Sequence, residues 1–212
     1  MREKIILKSV NPEQYGDLEI DCRVISNDQI GNYLANISDE RKFVAYKTGA
    51  VLARKGIPGE IVKTILTTVV DGRTYILSEE EGVVKERTYT TRDMSTGTEH
   101  SVIEPDYVIT NISSTSNEQY ITKAERIGKT YDFVQSTGEG LLLLPKYDPR
   151  VLTQVDENVI IVTAWGSKAV CLKGSYIVTY DALENDYNTL EQGAFVSTYT
   201  VEKVQDKKLV RK

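Results

Sequence analysis

Histidine, cysteine and tryptophan are scarce in this chain of 212 residues, and their scarcity excludes several kinds of chemistry. His100 is the single histidine, so a metal site or catalytic motif that needs two histidines is excluded. Cys22 and Cys171 are far apart and lack the spacing of a metal site. Glycine-rich phosphate loops and the G-x-S-x-G pattern of hydrolases are missing as well. We therefore expect no metal and no cofactor, and a non-enzymatic role is favoured over catalysis.

Long apolar runs and a strong charge of one sign are also missing. No stretch approaches the roughly 18 apolar residues of a membrane helix, and the opening MREKIILKSVNPEQ lacks the apolar core of a signal peptide. The net charge of −5 gives no strong attraction to nucleic acid or to anionic lipid. We therefore expect a cytoplasmic protein with reduced cysteines, and neither membranes nor nucleic acids are expected partners.

Tyrosine, by contrast, is abundant: 13 tyrosines stand against three phenylalanines. Many of them fall in two segments that align with each other, residues 97–134 and 166–201. The alignment pairs Tyr107 with Tyr176, Tyr120 with Tyr187, and Thr130-Tyr131 with Thr198-Tyr199. Tyrosine favours half-buried pleated surfaces. The pattern predicts a small β-rich module that occurs in tandem copies.

The rest of the chain also reads mainly as β structure. Lys4–Lys8 and Leu18–Val24 are predicted strands, and Asp71-Gly72 between two β-branched runs is a hairpin signal. The apolar spacing in residues 27–37 predicts one helix. The fold class is thus mainly β with minor α, as tandem small antiparallel β modules with one N-terminal helix.

Five divisions of the chain follow from these patterns. They are 1–41, N-terminal strands and helix; 42–92, a degenerate first β repeat; 93–134, the second β repeat; 135–205, an inserted segment plus the third repeat; and 206–212, a basic tail.

The last copy, TAWGSKAVCLKGSYIVT…DYNTLEQGAFVSTY, resembles a family of small phage and prophage proteins. Their pattern is T-x-x-G…V-x-P-G-D-Y-[IV]-[IV]…Y-x-x-x-x-x-x-F-x-x-T-Y. The matching residues here are Gly166, Gly174, Tyr176, Ile177, Val178, Tyr187, Phe195, Thr198 and Tyr199, while Lys173 and Ser175 replace the proline and the aspartate. The resemblance implies an origin in a phage or mobile element and assigns no catalytic residue.

Two sets of residues are candidate ligand contacts. Arg54 and Lys55, beside the Gly56–Gly59 loop, have the charges to grip a phosphate or carboxylate. The alternative interpretation of this pair is an exposed turn. Tyr107, Tyr176 and Trp165, with Lys168 as a nearby cation, are aromatic faces of the kind that stack a nucleobase, whereas the alternative is cross-strand packing.

Three functional hypotheses fit these patterns. The first is a non-enzymatic phage accessory protein in the host cytoplasm, which binds a nucleotide-type signal or a host protein and has an anti-defence role. The second is a virion structural or assembly protein. The third is a hydrolase or lyase that relies on carboxylates. Homo-oligomers are compatible with each hypothesis.

Overall fold

The computed structural model describes residues 1–113, 118–163, 166–181 and 186–202. The chain is mainly β, which confirms the predicted fold class. None of the helices in these ranges has the length and apolarity to cross a membrane.

The strands are β1 (Arg2–Ser9), β2 (Leu18–Ile25), β3 (Lys42–Lys47), β4 (Val51–Lys55), β5 (Ile61–Val70), β6 (Arg73–Val83), β7 (Glu86–Arg92), β8 (Glu99–Pro105), β9 (Tyr107–Asn111), β10 (Gln119–Thr122), β11 (Tyr131–Thr137), β12 (Gly140–Pro145), β13 (Arg150–Gln154), β14 (Val159–Val162), β15 (Lys168–Cys171), β16 (Tyr176–Asp181), β17 (Asp186–Leu190) and β18 (Tyr199–Val201). The helices are α1 (Asn27–Ala35), α2 (Ala124–Thr130) and α3 (Gln192–Thr198), and Asp39–Arg41 forms one 3₁₀ turn.

The chain divides into two compact units that are both discontinuous in sequence. Unit 1 takes Met1–Lys47, Thr68–Tyr75 and the chain from Tyr147 onward, and unit 2 takes Thr48–Thr67 and Ile76–Lys146. These bounds divide two of the predicted segments, 42–92 and 135–205, whereas 1–41 lies within unit 1 and 93–134 within unit 2. Residues 42–92, predicted as a degenerate repeat, are all described, and their five strands belong to four different sheets.

Unit 1 carries α1 against a sheet that begins at the N-terminus. The sheet has the order β15-β14-β2-β1-β6-β5, with β14 parallel to β2 and residues 68–75 of the β5–β6 hairpin in unit 1. The hairpin turn is at Asp71-Gly72, as predicted, and both residues have positive φ. Ile30, Tyr33 and Leu34 of α1 are buried, because their spacing puts them on one face of the helix.

Each unit also contains a five-stranded antiparallel sheet, and the two sheets are built alike. The order is β17-β16-β13-β3-β18 in unit 1 and β10-β9-β4-β12-β11 in unit 2. The short helix α3 joins β17 to β18, and α2 joins β10 to β11 in the same way. The two aligned segments therefore occupy equivalent places. Duplication as their origin stays a hypothesis.

The pairing registers of the two sheets agree as well. Lys55 lies opposite Tyr107 in unit 2, where Gln154 lies opposite Tyr176 in unit 1. In the last strand pair, Tyr131 faces Pro145, and its counterpart Tyr199 faces Lys47. The equivalence thus extends to single residues in four of the five strands.

The β10–β17 comparison corrects one pair in the sequence alignment. Thr122 faces Tyr107 and Leu190 faces Tyr176, so by register Tyr120 corresponds to Asn188 and not to Tyr187. A one-residue shift moves a strand side chain to the opposite face of the sheet. Tyr120 accordingly packs in the core of its own five-stranded sheet, whereas Tyr187 packs with α1.

The first strand of each tandem segment lies in the five-stranded sheet that the other segment mostly builds. In chain order, residues 42–137 supply β3, β4, β9, β10, α2 and β11, and residues 140–201 supply β12, β13, β16, β17, α3 and β18. However, β3 pairs with β13 and β18, while β12 pairs with β4 and β11. Neither tandem segment therefore completes a sheet from its own strands.

The exchanged strands also balance the volumes of the two cores. Leu143 of β12 and Ala45 of β3 occupy equivalent buried positions, and so do Ala53 of β4 and Leu152 of β13. Each core therefore has one leucine and one alanine at this pair of positions. Because interiors are close-packed, a change in side-chain volume on one strand alters the packing of the strand it pairs with.

We predict that Leu152→Ala lowers the free energy of unfolding by about 2–5 kcal/mol, because the side chain is fully buried and its loss leaves a cavity. Chemical denaturation measures this change. Val151→Ala on the same strand is the control, since Val151 is 45% exposed and we expect little effect. Equal losses in the two variants would contradict the assignment of Leu152 to a core.

Candidate functional site

Three of the residues singled out in the sequence come together at one end of β4 in unit 2. Arg54 and Lys55 end the strand, and Tyr107 of β9 lies directly opposite Lys55. Each cation, however, already has a carboxylate partner.

Arg54 is held by Glu60 across the loop that the sequence suggested as an anion site. One guanidinium nitrogen donates to Glu60 Oε2 at 3.0 Å, and a second donates to Oε1. The amide of Ile57 also donates to Glu60, at 3.1 Å. The bonds from Arg54 and Ile57 lower the pKa of Glu60 from its ordinary 4.5 to about 2. The pair closes the loop, and Arg54 has no unpaired charge for a phosphate.

Lys55 is paired in a similar way with Glu104 of β8. Its Nζ lies 2.9 Å from Glu104 Oε1, and the Tyr89 hydroxyl donates to Oε2 at 2.6 Å. The bonds from Tyr89 and Lys55 lower the pKa of Glu104. The pKa of Tyr89 is raised to about 12, mainly because its hydroxyl is hydrogen-bonded to Glu104. An anionic ligand at Lys55 would have to displace this carboxylate.

The remaining candidates from the sequence are placed differently. Tyr107 and Tyr176 are only 9% and 6% exposed and pack in the cores of the two five-stranded sheets, so little of either ring is available for stacking. Lys168 is in unit 1, where its Nζ forms an ion pair with Glu3 at 2.7 Å. Trp165 lies outside the described residues.

Within the described ranges, no group of three or more histidine, cysteine, aspartate or glutamate side chains is arranged to hold a metal ion. His100 is an exposed residue of β8, opposite Thr91 of β7.

A second site, which the sequence did not suggest, lies in unit 1 beside α1. It is a cavity of about 480 Å³ between the helix, the end of β2 and the loop before β14. The lining residues are Arg23, Val24, Ile25, Gln29, Asn32, Tyr33, Asn36, Ile37, Asp156 and Glu157. The volume is in the range of small-molecule sites.

Amide side chains supply one wall of this α1 cavity. Gln29, Asn32 and Asn36 recur along one face of the helix and its C-terminal cap. Asn36 Nδ2 donates to the carbonyl oxygen of Asn32 at 2.8 Å, which fixes the orientation of that amide. Amides both donate and accept hydrogen bonds, so this wall suits a ligand with both kinds of group.

Tyr33 lines the cavity and is the most unusual residue in it. The side chain is 9% exposed, and its hydroxyl is buried without a hydrogen-bond partner in the described residues. Burial, reinforced by the nearby carboxylates of Glu157 and Asp156, raises the pKa of Tyr33 above its ordinary value. The hydroxyl therefore stays protonated. Leaving such a group unpaired costs about 1–3 kcal/mol.

Charged groups of both signs border Tyr33. The guanidinium of Arg23 lies over the Tyr33 ring, 5.5 Å from its centre, and donates to Glu157 at 3.1 Å. Glu157 also accepts from Arg2 at 3.2 Å. Asp156, in contrast, is exposed and forms no ion pair within the described part of the chain. The cavity thus offers an unpaired carboxylate but no unpaired cation.

Part of this site had a signal in the sequence. Gln29, Asn32 and Asn36 fall at helical spacing within the predicted helix, next to its apolar face. Arg23 and Glu157, by contrast, lie 134 residues apart in the sequence. Only the parallel pairing of β14 with β2 brings them together.

Comparison with known proteins identifies no relative: no family model, no curated protein and no solved structure matches this chain.

We predict that Glu60→Gln destabilises the protein at neutral pH and that the difference from the native chain shrinks as the pH falls from about 4.5 toward 2. The folded pKa of Glu60 is depressed, so its contribution is present above the unfolded pKa and is lost on acidification. Urea denaturation at a series of pH values measures the difference.

Glu80→Gln is the matched control for this series, because Glu80 is exposed and has no ion pair among the described residues. A constant difference between Glu60→Gln and the native chain across the acid range would show that the Arg54–Glu60 pair does not form.

Proposed function

We propose that this protein is a non-enzymatic accessory protein of phage or mobile-element origin that binds a small polar ligand in the α1 cavity. The observation that carries the proposal is the Tyr33 hydroxyl, which is buried without a partner in a residue that lines the cavity. Buried polar groups in folded proteins are nearly always paired. A bound ligand is a natural partner for this one.

The lining favours a nucleobase-containing ligand. Asparagine and glutamine pair with the edges of bases through a donor and an acceptor, and a carboxylate accepts from an exocyclic amine. Asn32, Gln29 and Asp156 offer these groups on the walls of the cavity. Because Arg23 is engaged by Glu157, recognition rests on the base more than on a phosphate. A nucleotide-type signal agrees with this chemistry, and an anti-defence role in the host cytoplasm is part of the proposal.

A virion structural or assembly role is the second candidate. The observation that favours it is the β7–β8 ribbon, a two-stranded sheet whose outer residues 90–101 are all exposed. Exposed ribbons of this kind are common contact elements in assemblies, because their strand edges are unpaired.

We predict that nucleosides and their monophosphates raise the melting temperature and that Asn32→Ala or Asp156→Asn weakens the effect by removing a base contact. A thermal-shift panel of the four ribonucleosides and their monophosphates, followed by calorimetry on each hit, measures this. Asn188→Ala is the control, since Asn188 is exposed on β17 and outside the cavity. A blank panel, or binding that Asn32→Ala leaves unchanged, would count against the site.

We further predict that Tyr33→Phe leaves the free protein as stable or makes it more stable by about 1 kcal/mol, because the change removes an unpaired buried hydroxyl. The same variant should bind a ligand from the panel more weakly. Denaturation and calorimetry on one preparation test both parts. A clear loss of stability would show that the hydroxyl has a partner in the free protein.

A further inference from the structure

The β7–β8 ribbon in unit 2 is anchored at its base and exposed beyond it. Arg87 Nε lies 2.7 Å from Asp106 Oδ1, and Tyr89 donates to Glu104. Every residue from 90 to 101 is exposed, and Met94 in the turn is 94% exposed. An isolated two-stranded hairpin is marginal in water, and independent stability needs three or more strands with a hydrophobic face or packing against a helix. An additional strand at one edge would therefore stabilise the ribbon.

Hydrogen bonds at both ends of the ribbon show which backbone groups of β7 face away from β8. Asp106 N donates to the carbonyl oxygen of Lys85, and Asp93 N donates to that of Thr98, both at 2.8 Å. In an antiparallel pair, bonded and non-bonded rungs alternate. The odd residues of β7 therefore bond to β8, and the N–H and C=O groups of residues 86, 88, 90 and 92 point away from it.

The outward-facing edge of β7 has opposite charges at its two ends. Glu86 begins the strand and Arg92 ends it, and neither forms an ion pair within the described residues. Both residues are exposed, and since they are separated by an even number of positions they lie on one face of the ribbon. Residues Arg87–Tyr89 also line a cavity of about 190 Å³, together with Lys123–Glu125.

We propose that two copies of this chain associate by antiparallel pairing of their β7 edges about a two-fold axis at Tyr89. In this register Glu86 lies opposite Arg92 of the second copy, and Thr88 lies opposite Thr90. All four residues with outward backbone groups are then hydrogen-bonded, and both charges are paired. Opposite-charge and threonine–threonine pairs are favourable cross-strand neighbours. The result is a four-stranded sheet with an isologous interface.

Other registers and the other edge fit less well. A shift by two residues in either direction leaves an outward-facing residue at one end of β7 without a partner and separates Glu86 from Arg92. On β8 the outward residues are 99, 101, 103 and 105, and the corresponding two-fold pairing sets Glu99 opposite Pro105, which has no N–H to donate. The β7 edge is self-complementary and the β8 edge is not.

Sedimentation velocity over a wide range of protein concentration tests the proposal with two charge-reversal variants. We predict that the native chain forms a dimer and that Glu86→Arg and Arg92→Glu, each alone, raise the dissociation constant about tenfold or more, because both symmetric pairs become repulsive. An equimolar mixture of the two variants should form a heterodimer, since each arginine then faces a glutamate of the other chain.

A matched pair of proline variants separates edge pairing from folding of the ribbon. Thr90 and Ser101 face each other on one rung, and the N–H of each points outward, on β7 and on β8 respectively. Thr90→Pro should abolish association, while Ser101→Pro should leave it intact. A native chain that is monomeric throughout, variants that leave the dimer unchanged, a mixture that fails to associate, or equal loss in both proline variants would each overturn the proposal.

Discussion

The exchange of β3 and β12 is the constraint on which the rest of the structure depends. Each strand lies inside the five-stranded sheet built mostly by the other tandem segment, with neighbours on both sides. Ala45 and Leu143, at equivalent positions on the two strands, are buried in the two cores. Because neither segment closes its sheet alone, both units are discontinuous in sequence.

The two regions with functional potential differ in how their polar groups are satisfied. In unit 2, Arg54 and Lys55 are paired with Glu60 and Glu104, so their charges stabilise loops and strands. In unit 1, the Tyr33 hydroxyl beside α1 has no partner in the described residues, although its burial makes an unpaired state costly. Buried polar groups in folded proteins are nearly always paired, and for that reason the proposed ligand site is placed at Tyr33 and not at the paired cations.

Local patterns predicted much of the fold. The strands near Lys4–Lys8 and Leu18–Val24, the helix from residue 27 and the Asp71-Gly72 turn depend on neighbours in sequence, and all are present. The candidate site was predicted less well. Arg54 and Lys55 were chosen for their charge, but their partner carboxylates lie six and 49 residues away and only the folded chain shows the pairing. The match of Tyr120 with Tyr187 missed a one-residue shift in register, which alignment by residue type does not detect.

Composition and periodicity by themselves determined that this chain is mainly β, that two of its segments share a succession of elements, and that a helix begins at residue 27. These properties follow from side-chain shape, alternation and turn chemistry over short distances. The tertiary structure alone decided which strands pair. The β3–β12 exchange, the parallel contact of β14 with β2 that completes the α1 cavity, and the unpaired β7 edge all depend on contacts between distant residues. Such contacts are selected by the packing of whole sheets, for which a local pattern carries no signal.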